Sequence, residues 1–228
     1  GDVSIGAAMK VTGAIDISSN SGVNVFLGTA GAGLSLTDAE LDFITATSLN
    51  ITAAGSGTMT VNAVSGGGTI SGITTLTAGG TGVTFETAAS SFDNALTVAS
   101  TAIIANVNIT TTADNVIFSS TVTLNTGGSI IDTTNNGGSV TGANISFSAG
   151  ISGNFDLSLN AGTGGAITGT TVAINNLTIT NGASAAFTDA VTVNDLITTT
   201  ATATTVSMTG SGNTFVADVD FLNAGAVT

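Results

Sequence analysis

The sequence predicts an all-β fold made of many short strands. Apolar residues are not spaced at i, i+3, i+4 and i+7 over any sustained stretch, and Gly, Thr, Ser, Asn and Val stand where helix formers would be needed. Apolar and polar residues alternate instead in short pieces such as "VNVF", "MTVN", "VTL" and "LTIT". Clusters such as "SGGG", "TNNGG" and "AGTGG" separate these pieces and supply residues that tolerate positive φ. Many short strands divided by such clusters are typical of all-β proteins.

A recurring phrase predicts how the strands are arranged. Phe, three residues, an apolar residue, any residue and another apolar residue begin at Phe92, Phe118, Phe187 and Phe215. The first two copies are 26 residues apart and the last two are 28 apart. Phe147 lies 29 residues after Phe118 and 40 before Phe187, so we expect an inserted loop or an extra turn in the longer gap. Self-similarity on this scale is typical of solenoids, and it predicts a parallel β-helix (β-solenoid) of about 26–29 residues per repeat.

The same phrase predicts the core of this solenoid. Inward positions of stacked strands form ladders with a spacing of about 4.8 Å. We expect four side chains to be buried at equivalent corners of successive turns: Phe92, Phe118, Phe187 and Phe215. We expect a neighbouring aliphatic ladder of Leu96, Val122, Val191 and Val219. The chain has no Pro, which suits strands that are paired on both sides.

The organisation that we expect is one continuous β-solenoid segment over residues 1–228, less regular over residues 1–80. Residues 1–10 and 219–228 have strand texture without a helix, a charge cluster or a Pro that would block pairing. We therefore expect both of these segments to meet more protein, either further parts of a longer chain or neighbouring copies.

Composition and charge exclude several classes of function. Fourteen acidic residues and a single basic residue, Lys10, give a net charge of −13, which repels phosphate backbones and anionic lipid. We expect no nucleic-acid partner and, without a run of about 18 apolar residues, no direct membrane insertion. The chain has no His, and nucleophile–base pairs usually need one. We therefore expect no enzyme, and a carbohydrate-active β-helix enzyme is the least favoured interpretation.

One acidic segment is a candidate metal site. Asp38, Glu40 and Asp42 alternate with apolar residues in "TDAELDF", so a strand would place all three carboxylates on one face. Such oxygen donors suit Ca²⁺, although the spacing of known calcium loops is absent. The alternative is a solvated acidic stripe. Asp218 and Asp220 form a smaller version of the same pattern, and we expect no other cofactor.

Four asparagines match the Asn-x-Ser/Thr pattern of N-glycosylation. They are Asn50, Asn108, Asn144 and Asn176. The repeat itself produces the same pattern, because it places Asn before an apolar strand residue that is followed by Thr or Ser.

The Gly/Thr/Asn/Ala texture, the recurrent Phe phrases and the "NIT" and "NLT" strands resemble the repeat region of large bacterial exoproteins of the filamentous-haemagglutinin type. The resemblance covers most of residues 70–228 and, more weakly, residues 1–70. Members of that group are right-handed parallel β-helices that are secreted to the cell surface and serve in adhesion, biofilms or surface coats. Surface-layer and sheath proteins share this texture.

The resemblance implies a structural β-helical rod of a bacterial extracellular or cell-surface protein. As a filament, sheath or surface-layer component, it would act through stiffness and self-association, with copies of itself or flanking segments of the same polypeptide as partners. The alternative is the stalk of a secreted adhesin whose binding domain lies outside this chain. Only that alternative implies binding to a glycan or a host surface.

Overall fold

The structure, a computed structural model, describes residues 5–105, 107–199 and 203–228. These residues form 28 short strands and one helix of four residues. The strands lie in three parallel sheets that run along the molecule and contain ten, eight and ten strands. This arrangement is a β-solenoid of about eight turns, which confirms the predicted fold class.

The first part of the described chain lies at one end of the solenoid. It contains β1 (Met9–Lys10), β2 (Ala14–Ser18), β3 (Val25–Gly28), β4 (Leu34–Thr37) and α1 (Asp38–Leu41).

Eight turns of three strands each follow. They are β5 (Ile44–Ala53), β6 (Met59–Val61), β7 (Ser65–Gly66); β8 (Thr69–Ala78), β9 (Val83–Glu86), β10 (Ser90–Phe92); β11 (Ala95–Val98), β12 (Ala102–Ala105), β13 (Asn108–Thr111); β14 (Val116–Phe118), β15 (Val122–Thr126), β16 (Ser129–Asp132); β17 (Ile145–Phe147), β18 (Ile151–Ser152), β19 (Leu157–Asn160); β20 (Ala166–Gly169), β21 (Val172–Ala173), β22 (Asn176–Asn181); β23 (Ser184–Phe187), β24 (Val191–Val193), β25 (Asp195–Thr198); and β26 (Thr205–Met208), β27 (Thr214–Phe215), β28 (Val219–Phe221).

Each turn contributes one strand to each sheet. The first strand of a turn lies in sheet A, the second in sheet B and the third in sheet C. At the N-terminal end, β1 and β2 both pair with β5 in sheet A, and β3 lies between β4 and β6 in sheet B. Sheet C begins at β7, whose Ser65 is hydrogen-bonded to Asp38 of α1.

The core consists of aliphatic and aromatic ladders that pass from turn to turn. One ladder of sheet B is buried over nine successive strands: Leu34, Val25, Met59, Val83, Ala102, Val122, Ile151, Val172 and Val191. Because parallel register places equivalent positions directly above one another, the alternation in each short strand is enough to fill a continuous core.

The length of a turn differs from the predicted 26–29 residues. In sheet A, the register partners Leu96 and Val116 are 20 residues apart, and Val116 and Ile145 are 29 apart. Ile167 and Ala185 are only 18 apart. The strands vary from two to ten residues and the corners between them vary as well, so the repeat has no fixed period. The 40-residue gap between Phe147 and Phe187 contains one extra turn, as the sequence suggested.

The prediction that four Phe side chains occupy equivalent corners is wrong. Phe92 ends β10 in sheet C, Phe118 and Phe187 end strands of sheet A, and Phe215 ends β27 in sheet B. The first three are buried, as predicted, and Phe215 is half-buried. In each copy the Phe ends one strand, two or three residues make the corner, and the next strand begins. The phrase therefore marks a strand–corner–strand unit, which occurs at all three corners of the solenoid.

The predicted aliphatic ladder is divided for the same reason. Val122 and Val191 belong to one ladder of sheet B, whereas Leu96 lies in sheet A and Val219 in sheet C.

Asparagine side chains support the corners. The Oδ1 atom of Asn115 accepts a hydrogen bond from the backbone N–H of Asn144 on the next turn at 3.0 Å, and that of Asn144 accepts one from Ala166 at 2.8 Å. Equivalent bonds to the following turn are made by Asn24, Asn62 and Asn176. Such bonds satisfy backbone donors at corners, where the sheet ladders are interrupted. Glycosylation of Asn50, Asn108, Asn144 or Asn176 stays a prediction.

No helix in the described parts of the chain has the length and apolarity needed to cross a membrane.

Candidate functional site

The predicted acidic strand is a helix. Asp38 and Glu40 lie in α1, and Asp42 is its C-cap residue, so the premise that three carboxylates share one strand face is wrong. The segment "TDAE" has the Ser/Thr-x-x-Glu spacing of a helix capping box, which was the signal in the sequence for this helix. The Oε2 atom of Glu40 accepts hydrogen bonds from the Thr37 backbone N–H at 2.9 Å and from its hydroxyl at 2.7 Å.

The carboxylates of α1 hold the end of the solenoid together. The two oxygens of Asp38 accept hydrogen bonds from the backbone N–H and the hydroxyl of Ser65 in β7, at 2.6 and 2.5 Å. The Oε1 atom of Glu40 accepts a bond from the Ile5 backbone N–H at 3.2 Å. Helix α1 is therefore attached by side-chain hydrogen bonds to the first strand of sheet C.

The pKa values of Glu40 and Asp42 are shifted in opposite directions. Hydrogen bonds from Thr37 hold the pKa of Glu40 below its usual value. Desolvation, together with the negative charges of Asp38 and Asp93, raises the pKa of Asp42. Among the described residues no group of three His, Cys, Asp or Glu side chains is arranged to hold a metal ion. Calcium binding by Asp38, Glu40 and Asp42 stays a prediction, and the hydrogen bonds above would compete with it.

In the smaller acidic pair, Asp218 is also engaged in local bonds. Asp218 accepts a hydrogen bond from the Val219 backbone N–H at 2.9 Å, and its own N–H donates to Asp195 on the preceding turn at 3.1 Å. Asp220 lies within β28 and takes no part in these bonds. Asp218 therefore serves the corner before β28, where Asp195 has the role that asparagines have at other corners.

The longest corner of the solenoid is the loop of residues 133–144, between β16 and β17. Its base is held by a carboxylate: the Oδ1 atom of Asp132, which is only 8% exposed, accepts bonds from the N–H and hydroxyl of Thr134 at 2.5 and 2.6 Å. Asn160 donates from its amide to the other oxygen of Asp132 at 3.3 Å. The loop then passes through Asn135 and Asn136, which have φ values of 54° and 52°. Its tip is thereby fixed in a left-handed conformation that a β-branched residue would not tolerate.

This tip faces a groove on the outer side of sheet C. The groove encloses about 350 Å³ between Asn136 and strands β7, β10 and β13. Its lining is Ala63, Val64, Ser65, Ala89, Ser90, Ser91, Thr110 and Asn136. Ser65, Ser91 and Thr110 are register partners on successive strands, so their hydroxyl-bearing side chains form a row along the floor.

Thr110 is the unusual member of this row. It is only 5% exposed and its hydroxyl makes no hydrogen bond to any other described residue. The hydroxyls of Ser65 and Ser90 are engaged, by Asp38 and by the backbone N–H of Val64. Because Thr110 lines the groove, its hydroxyl is free to bind a molecule placed there.

A second hollow, of about 240 Å³, lies near the N-terminal end beside Ser18, Ser19 and Leu34. Its buried hydroxyl, on Ser19, already donates to the backbone oxygen of Val23 at 2.7 Å. This hollow leaves no buried polar group in need of a partner, and the groove on sheet C is therefore the stronger candidate site.

The residues of this groove were not singled out from the sequence, where "TNNGG" indicated a loop and nothing more. The fold and the groove define the class as a parallel β-solenoid with one long corner loop over a polar hollow. Comparison with protein-family models, curated proteins and solved structures found no match to this chain.

Proposed function

We propose that this chain is a stiff rod in a bacterial extracellular or cell-surface structural protein, and that it acts by associating with copies of itself. The observation that carries the proposal is the unbroken stack of about eight turns, in which core ladders and three parallel sheets continue along the molecule. Backbone hydrogen bonds along the axis give such a stack its stiffness.

The distribution of apolar surface supports association through the turn that ends the described chain. Four of the exposed large apolar side chains lie there: Val216, Phe221, Leu222 and Val227. Among the described residues, β27 and β28 each pair with one strand only. An exposed strand edge beside apolar side chains is a surface on which further β-structure adds readily.

Charge sets the condition for this association. A net charge of −13 makes copies repel one another, and salt screens such repulsion over about 8–10 Å at physiological ionic strength. We therefore expect assembly to increase with added NaCl.

The test is the mass and shape of the purified chain as a function of concentration and salt. Light scattering and electron microscopy should show rods that lengthen with concentration. The variant Leu222→Asp adds a charge at the exposed edge and should shorten them. Val140→Asp changes an exposed apolar side chain on the 133–144 loop, away from that edge, and should leave the rods unchanged.

A chain that stays monomeric at every concentration and salt would instead favour a stalk that only spaces other domains.

The proposed cell-surface location is tested by a separate experiment. Protease treatment of intact source cells should release peptides of this chain, and peptides found only after lysis would contradict a surface location.

A further inference from the structure

We propose that the groove over sheet C binds a neutral sugar unit, with Thr110, Ser91 and Asn136 as the polar contacts. This site would be additional to the proposed rod function and does not depend on assembly.

The polar side of the groove offers groups that pair with hydroxyls. Thr110 as a residue is only 5% exposed, its hydroxyl makes no hydrogen bond to any other described residue, and Ser91 lies beside it in register on the neighbouring strand. Asn136 lines the groove from the loop, and its amide has both donors and an acceptor. A ligand that both donates and accepts over a short span can bond to all three.

Part of the lining is apolar. Three of the lining residues, Ala63, Ala89 and Val64, have side chains that carry only methyl or aliphatic groups. A pyranose ring has C–H groups on its faces and hydroxyls at its edge, so it can contact methyls and polar groups together. Ligand sites commonly combine an apolar lining with a few placed polar groups.

Charge argues for a neutral ligand. No lining residue is charged, and the single basic side chain of the protein, Lys10, lies on β1 in sheet A. Asp38 is hydrogen-bonded to the lining residue Ser65 and would repel an anion. A metal ion would find only hydroxyl and amide oxygens in the lining, since both oxygens of Asp38 already accept bonds from Ser65.

The groove lies beside an inserted loop, which is where binding sites are often found in solenoid proteins. Insertions in individual repeats form loops on one face, which is often the binding face. Here the longest corner carries Asn136, and the buried bonds of Asp132 to Thr134 hold its base in place. The groove is therefore largely formed before a ligand arrives.

The experiment is saturation-transfer NMR on the whole chain, with the methyl glycosides of glucose, galactose, mannose and N-acetylglucosamine as probes. At least one neutral glycoside should receive saturation, and glucose 6-phosphate should not. Thr110→Val keeps the shape of the side chain and should weaken binding by roughly tenfold. Thr178→Val removes an outward hydroxyl on β22, far from the groove, and should change nothing.

Ser91→Leu gives a second variant, at a half-buried outward position, and should block the groove; circular dichroism checks that it is folded. The proposal is overturned if no neutral glycoside binds, if glucose 6-phosphate or CaCl₂ binds instead, or if binding survives Ser91→Leu.

Discussion

The rings of Phe118 and Phe147 lie directly over one another on successive turns of sheet A. Their centroids are 5.3 Å apart and their planes differ by 5°, and the two residues are register partners of β14 and β17. The centroid spacing is slightly more than the distance of about 4.8 Å between neighbouring strands, as expected for rings that project inward at the same angle. Both side chains are buried, so the pair links two turns through the core.

Removing one ring of this pair should destabilise the fold strongly. Phe118→Ala leaves a cavity beside Phe147, and such truncations cost about 3–5 kcal/mol. Urea unfolding monitored by circular dichroism measures the loss. Phe43→Ala is the matched control, because Phe43 is 40% exposed and should cost much less. Equal losses for the two variants would show that the stacked rings do not contribute as the structure indicates.

The Phe phrases show which parts of the fold were predictable. The alternation within Val191–Val193 or Leu157–Asn160 is local, because a strand has a period of two whatever surrounds it. Strand texture and the solenoid class follow from that pattern. The register between turns does not, because it depends on corner lengths that vary along the chain. Phe92 and Phe118 therefore look like one repeat apart although they lie in different sheets.

The candidate groove could not be predicted from the sequence, because it too depends on the register between turns. Asn136 meets Ser91 and Thr110 only after the turns have been stacked in their actual register. No local pattern links these three residues. The strand prediction for the acidic segment was wrong for a different reason. The capping-box spacing of this segment is local and could be recognised in the sequence, but the alternation of Asp38, Glu40 and Asp42 favoured a strand.

A glycine makes room for another ring in sheet A. Gly169 is the register partner of Phe187, and a Cβ atom at Gly169 would lie 2.9 Å from Cδ1 of that ring. Gly169→Ala should therefore destabilise the protein by about 1–3 kcal/mol through overpacking. In a Phe187→Leu background the same change should cost less, which a double-mutant cycle by urea unfolding measures. Gly13→Ala is the control, because an added Cβ atom at Gly13 would have no atom within 4 Å. If Gly169→Ala lost no more stability than Gly13→Ala, the contact with Phe187 would be contradicted.

A buried hydroxyl interrupts an aliphatic ladder of sheet A. Thr74 lies between its register partners Leu49 and Leu96, is 2% exposed, and its Oγ1 atom has no hydrogen-bond partner among the described residues. Thr74→Val keeps the shape and removes the unpaired group, so it should stabilise the fold by about 1 kcal/mol. Thermal and urea unfolding both measure the gain.

Thr133→Val is the matched control for Thr74→Val. The Thr133 hydroxyl is also buried, but it donates to the backbone oxygen of Ala143 at 2.8 Å and accepts from its N–H at 2.9 Å. Its removal should destabilise the protein by about 1–3 kcal/mol. If Thr74→Val and Thr133→Val both stabilised the protein, or both destabilised it, the distinction between an unpaired and a paired buried hydroxyl would be refuted.

Glu40 and Asp42 should have opposite effects on the pH dependence of stability. The pKa of Glu40 is lowered in the folded state, so its stabilising contribution is present above the unfolded pKa and is lost as pH falls through the folded pKa. The pKa of Asp42 is raised, so its penalty is full above the folded pKa and is relieved as pH falls through it. At pH 7, Glu40→Gln should therefore lower the melting temperature and Asp42→Asn should raise it.

Melting curves between pH 7 and pH 3 check both signs. The differences from the unmodified chain should shrink toward the acid end for each variant, since protonation makes each carboxyl resemble its amide. An Asp42→Asn variant that melts below the unmodified chain at pH 7 would show that desolvation and the charges of Asp38 and Asp93 impose no net penalty on the Asp42 carboxylate.

Calcium offers the last test, at Asp38, Glu40 and Asp42. Because Ser65, Thr37 and Ile5 already donate to Asp38 and Glu40, we expect Ca²⁺ to act by screening the charge of −13 and not through a site. Millimolar CaCl₂ and MgCl₂ should then raise the melting temperature by the same amount in calorimetry. The triple variant Asp38→Asn, Glu40→Gln, Asp42→Asn should melt lower because it loses bonds of α1, yet respond to both salts as the unmodified chain does. A rise that is larger with Ca²⁺ than with Mg²⁺, and that disappears in the triple variant, would establish the calcium site.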